Sequence, residues 1–198
     1  MQNTLPIVKE PNSVLRGRAQ EVDAKDITAK RIQALIADMR ATLKNTPDGV
    51  GLAAPQVGES LRIFIVSDEA EEIDKTERRR WKEGEQGWER NQEKPYEIRE
   101  WRYFVFINPE VKNTSKASLE DVEGCLSVPG KFGIVKRYEK ITVSAYDENG
   151  KKFMRGASRF FARVLQHEFD HLEGVLFVDR TEQFINVAPR EENGVSPK

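Results

Sequence analysis

The segment from Ser158 to Gly174 limits the fold of this chain more than any other. Ser158 offers an N-cap, and Phe160, Phe161, Val164, Leu165, His167, Glu168, His171 and Leu172 recur at steps of three and four until Gly174. That spacing predicts a helix with one apolar face, closed by the residue type that ends helices. The fold must supply a core to receive that face. The same face carries the only two histidines of the 198-residue chain. Standing four apart on a helix, they project from one side about one turn apart, so two imidazole nitrogens can reach one metal ion.

Glu168 lies between them, and HEFDH is an HExxH motif. It is too close to His167 in sequence to read as a simple ligand. In such a motif it takes a proton from water polarised by the ion and returns it to a leaving group. A catalytic site of this kind needs a third protein ligand and an open position. One class of HExxH proteases places a third histidine six residues past the second, after a glycine; Gly174 fits, but position 177 is Phe177. A carboxylate ligand would have to come from Glu173, Glu182, Glu191 or Glu192, none on a clear second helix. Cys125 remains. A lone cysteine is more often a small buried hydrophobe than a ligand. Here Gly124 before it and Pro129-Gly130 after it set it on a strand edge at a turn, where a thiolate can face a cleft.

Elsewhere the pattern predicts a helix capped by Thr28, with Ile32, Leu35, Ile36, Met39 and Leu43 on one face and Pro47-Asp48-Gly49 beyond it. VGLAAPQVG reads as a glycine-bracketed loop feeding a buried strand at Ile63, Phe64, Ile65 and Val66. Residues 68–102 form a charged, Trp-containing insertion with Trp81, Trp88 and Trp101. Phe104 and Phe106 read as a strand running into a turn at Ile107-Asn108-Pro109. Ile141, Val143 and Ala145, then Asp147-Glu148-Asn149-Gly150, then Phe153, predict an antiparallel hairpin. Residues 189–198 are expected to be a loose tail.

The balance of 32 Lys and Arg against 33 Asp and Glu gives no electrostatic footprint for nucleic acid or an anionic membrane, and neither partner is expected. No apolar run approaches the ~20 residues of a membrane helix, and the start lacks a signal peptide's apolar stretch. One cysteine forms no internal disulfide. These features lead us to expect a soluble, intracellular protein.

Three separated motifs stand in the order found in one family. GVGLAAPQ (49–56), EGCLS (123–127) and QHEFDH (166–171), with PNSVLRGRA near the start, make the sequence resemble the peptide deformylases from about Pro6 to about Asp179. The resemblance implies an α+β fold, a single domain over 1–198 with antiparallel strands around the HExxH helix. It implies removal of the formyl group from the N-terminal formylmethionine of new polypeptides. Cys125, His167 and His171 match the family's metal ligands and Glu168 its general acid and base. Gln56 and the backbone N–H of Leu126 match the groups that hydrogen-bond the formyl oxygen. Val50, Gly51 and Gly124 match positions along the substrate, and the small residues Gly49, Gly51, Ala53 and Ala54 suit an extended peptide pairing as an added strand. The implied cofactor is one divalent ion, Fe(II) favoured, with Zn, Ni or Co also suited to sulfur and nitrogen donors. Asp170 is expected to pair with Arg137. Two departures stand out. Phe132 occupies a position where many bacterial members carry arginine, and the link at 68–102 is longer than usual, leaving a ribosome or partner docking surface as one use for it. An HExxH endopeptidase with a carboxylate ligand, and a non-catalytic binding module of the same fold, are the competing readings.

Overall fold

The computed structural model describes residues 3–46, 49–82 and 102–185. Its centre is an antiparallel five-stranded sheet with order β1-β2-β3-β6-β7: β1 Gly51–Ala53, β2 Ile63–Ser67, β3 Tyr103–Thr114, β6 Lys140–Tyr146 and β7 Lys152–Ser158. A second antiparallel sheet has the order β4-β5-β8, with β4 Ser118–Cys125, β5 Val128–Tyr138 and β8 Gln183–Ile185. Three helices accompany them: α1 Lys30–Lys44, α2 Glu69–Lys82 and α3 Arg159–Leu172.

Side chains alternate across a strand, and the two faces of the larger sheet meet different helices. Ile63, Ile65, Val105 and Ile107 cluster with Ile32, Ile36, Met39 and Leu43 of α1. Phe64, Val66, Phe106 and Val143 cluster with Phe161, Ala162 and Leu165 of α3. Burial on both faces explains why every residue of β2 is buried, and why it reads as a continuous apolar run rather than an alternating one. Each such side chain contributes about 1.5–3 kcal/mol on full burial. The smaller sheet covers α3 from the other side: Arg163 donates to the Val135 carbonyl at 2.8 Å, and Val128 and Val135 cluster with Leu176 and Phe177 just past the helix. The HExxH helix is therefore the central element of an α+β fold.

Four local readings differ from the sequence expectation. Ala29, not Thr28, is the N-cap of α1, without a side-chain cap bond. The VGLAAPQVG segment is a short edge strand followed by a 3-10 turn over Ala54–Val57. Ala53 and Ala54 are fully buried there, so their small size serves packing. Strand β3 does not turn at Asn108-Pro109 but passes through with register shifts. Asn108 takes φ 48°, and its amide bonds the Val22 backbone as acceptor at 2.9 Å and donor at 2.7 Å. A bulge, anchored by that side chain, does what a turn was expected to do. The β6–β7 hairpin forms as expected and hands the chain to α3 at Arg159, which takes φ 50°.

The charged stretch begins as a helix, α2, with Glu69, Glu71 and Glu72 in its first turn. At its base the Asp68 N–H donates to the Arg102 carbonyl at 2.9 Å, and the Arg102 N–H to Asp68 Oδ1 at 3.0 Å. Residues 83–101, which hold Trp88 and Trp101, and the 189–198 tail lie outside the described residues. Among the described residues no helix is long and apolar enough to cross a membrane.

Candidate metal centre

Cys125 closes β4 where the β4–β5 register breaks, and α3 carries the two histidines beneath it. The Cys125 Sγ lies 3.2 Å from His171 Nε2, and the ligating atoms of Cys125, His167 and His171 all lie within 4.8 Å of one another. The two rings stand 5.0 Å apart at 80°. A tetrahedral ion with metal–sulfur and metal–nitrogen bonds of about 2.3 and 2.0–2.1 Å holds its ligand atoms at comparable separations. One thiolate and two imidazoles match the donor set of Zn, Fe(II), Co or Ni. Among the described residues, no other group of three or more His, Cys, Asp and Glu side chains has this geometry.

Glu123, absent from our sequence reading except as a motif letter, orients the first histidine. Its Oε2 lies 3.0 Å from His167 Nδ1. A carboxylate only accepts, so Nδ1 carries the hydrogen and Nε2 turns its lone pair toward the sulfur. Glu123 also accepts two bonds from Arg137, at 2.8 and 2.9 Å, and one from Arg163 at 2.8 Å. Burial works against its charge, but the Arg137 and His167 contacts outweigh it and hold the carboxyl well below the usual range. Arg137 also pairs with Asp170 at 2.5 Å, the partner expected from sequence, and Asp170 accepts from Arg180 as well. Arg163 sits inside the helix face and gave no sign of its role, because a charged residue amid apolar ones at helical spacing reads as a pattern fault.

Burial disfavours charge on His167, yet Cys125 and Glu123 on either side of the ring raise its pKa well above the ordinary value. His171 goes the other way: burial, then His167 and Arg137, keep it neutral, the form that ligates.

Glu168 projects toward β1. It is 4 % exposed, and burial pushes its carboxyl up to about 7, with His167 opposing and Glu123 adding. Glu168 Oε2 and His171 Nδ1 are buried with no hydrogen-bond partner among the described residues. Gly51 faces this carboxylate: a Cβ there would lie 2.3 Å from Glu168 Oε1. The glycine is thus the seat of Glu168. Gln56 lies in the turn after β1; its Oε1 accepts from the Ala53 N–H at 2.8 Å, which aims Nε2 at Cys125 Sγ (3.5 Å) and Ser127 Oγ (3.4 Å). Leu126 follows Cys125, its carbonyl accepting from Lys9 Nζ at 3.0 Å. Val50 precedes β1, its carbonyl engaged by the Ser67 N–H at 2.8 Å. Gly124 lies under Phe132, whose ring atom Cε1 would be 2.7 Å from a Cβ there. The ring occupying that position is therefore packed on the strand that carries Cys125.

Known proteins similar to this chain in sequence and fold belong to one family. A family model described as Polypeptide deformylase matches residues 4–186. Peptide deformylase 2 of Nostoc sp. is 38 % identical over 188 residues, covering 95 % of this chain and 92 % of that protein. The chloroplastic peptide deformylase 1A of Solanum lycopersicum is 37 % identical over 174 residues, 88 % of this chain, which spans 58 % of that longer protein. Among solved structures, the Met-Ala-Ser-bound class I type b peptide deformylase of Acinetobacter baumannii superposes with TM-score 0.72 at 33 % identity, covering 91 % of this chain and 99 % of that one. Matched along nearly its whole described length, the chain belongs to the polypeptide deformylase family.

Proposed function

We propose that this chain hydrolyses the formyl group from the N-terminal formylmethionine of newly made polypeptides, with one divalent ion held by Cys125, His167 and His171. The observation that carries the reading is the Cys125 sulfur at 3.2 Å from His171 Nε2 in a chain of this family. When bound, the ion supplies Lewis acidity toward water and the formyl oxygen. Fe(II) is our preferred occupant, with Zn, Ni or Co as substitutes.

The chain's own groups account for the remaining steps. The Glu168 carboxylate accepts the proton of the attacking water and delivers it to the amine nitrogen as the carbon–nitrogen bond breaks, releasing formate and a free N-terminus. Its pKa near neutrality suits both halves of that transfer. Gln56 Nε2 and the Leu126 N–H donate to the formyl oxygen as negative charge grows on it; one such donor contributes about 3 kcal/mol to the barrier in comparable sites. β1 is the edge strand of its sheet, and an extended peptide can add to it beside Glu168. In that pose Val50, Gly51 and Gly124 line the start of the substrate. The setting that goes with formylated nascent chains is a bacterial-type cytoplasm, and we assign no nucleic-acid or membrane partner. Docking to a ribosome through 68–102 rests largely on residues 83–101, outside those described.

Gly51→Ala tests the seat of Glu168. A methyl 2.3 Å from Oε1 must displace the carboxylate, and misplacement by about 1 Å costs on the order of 100-fold in rate. We expect kcat to fall with metal content unchanged; parental kcat shows that Glu168 needs no such seat. The reaction itself is tested by anaerobic purification, elemental analysis and turnover of a formyl-Met dipeptide on one sample, beside an unformylated long peptide. Release of formate with one divalent ion per chain is expected. Cleavage of internal bonds in the long peptide without deformylation would establish the endopeptidase reading instead.

A further inference from the structure

Positions 166, 169 and 170 of α3 lie on the face turned away from His167, Glu168 and His171, because successive helical residues rotate by about 100°. Behind that face opens a cavity of about 440 Å³, within the ~300–1,000 Å³ range of small-molecule sites. The deformylation chemistry makes no use of it.

Its lining divides by chemistry. Four cationic residues, Lys116, Lys136, Arg137 and Arg180, and one carboxylate, Asp170, contribute to it. Arg137 and Arg180 are both engaged by Asp170. Lys116 and Lys136 form no ion pair among the described residues, although Lys136 stands opposite Glu120 in the β4–β5 register. The apolar part comes from Val111, Tyr138, Ile141 and Phe169. Val111 and Tyr138 are 38 % and 50 % exposed, large apolar groups left in water at the rim of the cavity. Gln166 is fixed beside them, its amide bonding the Tyr138 N–H at 3.0 Å and the Tyr138 carbonyl at 2.9 Å. Two ammonium groups outside any ion pair of the described residues, beside an apolar wall whose rim residues Val111 and Tyr138 are exposed, are complementary to one class of molecule.

We propose that this cavity binds a small organic anion with an apolar body, its anionic group held by Lys116 and Lys136 and its body against Val111, Tyr138, Ile141 and Phe169. Unlike the deformylase reading, this rests on nothing at the metal centre.

The test is isothermal titration calorimetry of the metal-loaded full chain with phenyl phosphate, alongside inorganic phosphate and phenol as its two halves. Phenyl phosphate should bind saturably, tighter than either half by about tenfold or more, and the double substitution Lys116→Glu, Lys136→Glu should weaken it by at least about tenfold. Both lysines are exposed and away from the reacting groups, so turnover of the double variant should match the parent; because Lys136→Glu faces Glu120 across the strands, its Tm is compared with that of Lys136→Met. Lys136→Met, which removes one charge without reversing it, should shift affinity in the same direction. Absence of saturable binding overturns the proposal. Equal affinity in the double variant also overturns it, since the anion then sits on the metal or elsewhere. Equal affinity for inorganic phosphate does so too, because the apolar wall then contributes nothing. Deformylation measured on the same samples keeps these outcomes separate from failure of the functional reading.

Discussion

Glu168→Gln should keep its metal and lose turnover by roughly 10²–10⁴-fold, the usual contribution of a positioned acid or base. The amide has the shape of the carboxylate it replaces, and the pocket between α3 and Gly51 is already built around that shape. The cation's proposed ligands, Cys125, His167 and His171, are untouched. What disappears is the ability to accept a proton from water and pass it to the departing amine. Elemental analysis and single-turnover assays on one preparation give the two readouts. Full activity would end the proton-carrier role; loss of metal together with activity would make Glu168 a support of the site instead.

Cys125→Ser should act on the metal first. A thiolate is a soft anionic donor, whereas a serine hydroxyl at neutral pH offers a neutral, hard oxygen. Substitutions one shell farther out typically cost about 10–100-fold in metal affinity, and loss of a direct ligand should exceed that. Because Cys125 Sγ also accepts from Gln56 Nε2 at 3.5 Å and from the Ser127 N–H at 3.4 Å, the substitution also loosens the turn that presents Leu126. Dialysis against a chelator followed by metal analysis measures the effect. Unchanged retention of metal would exclude the sulfur as a ligand.

The central helix was legible because its apolar period and its HExxH residues share one face, so core packing and chemistry left the same mark. Strand β2 was legible from β-branched and aromatic content, and the β6–β7 hairpin from alternation on both sides of Asp147–Gly150. Other features depend on partners far away in sequence. The backbone of β3 continues past Asn108-Pro109 because the Asn108 amide is held by Val22, 86 residues away. Glu123 orients His167 from 44 residues away, and its neighbours gave no local sign that Arg137 and Arg163 would converge on it. Gly51 also seats the Glu168 carboxylate, a contact no local pattern encodes. The helix α2 did carry a local sign in the acidic residues of its first turn, which complement the helix dipole, but the density of charge around it read as an excursion.

The account stands on one coordination sphere, and X-ray absorption at the metal edge of the purified protein measures it directly. It predicts one sulfur neighbour at about 2.3 Å with two imidazole nitrogens at about 2.0–2.1 Å. A sphere of light atoms alone, with no sulfur scatterer and Cys125 freely alkylated in the metal-loaded protein, would contradict it.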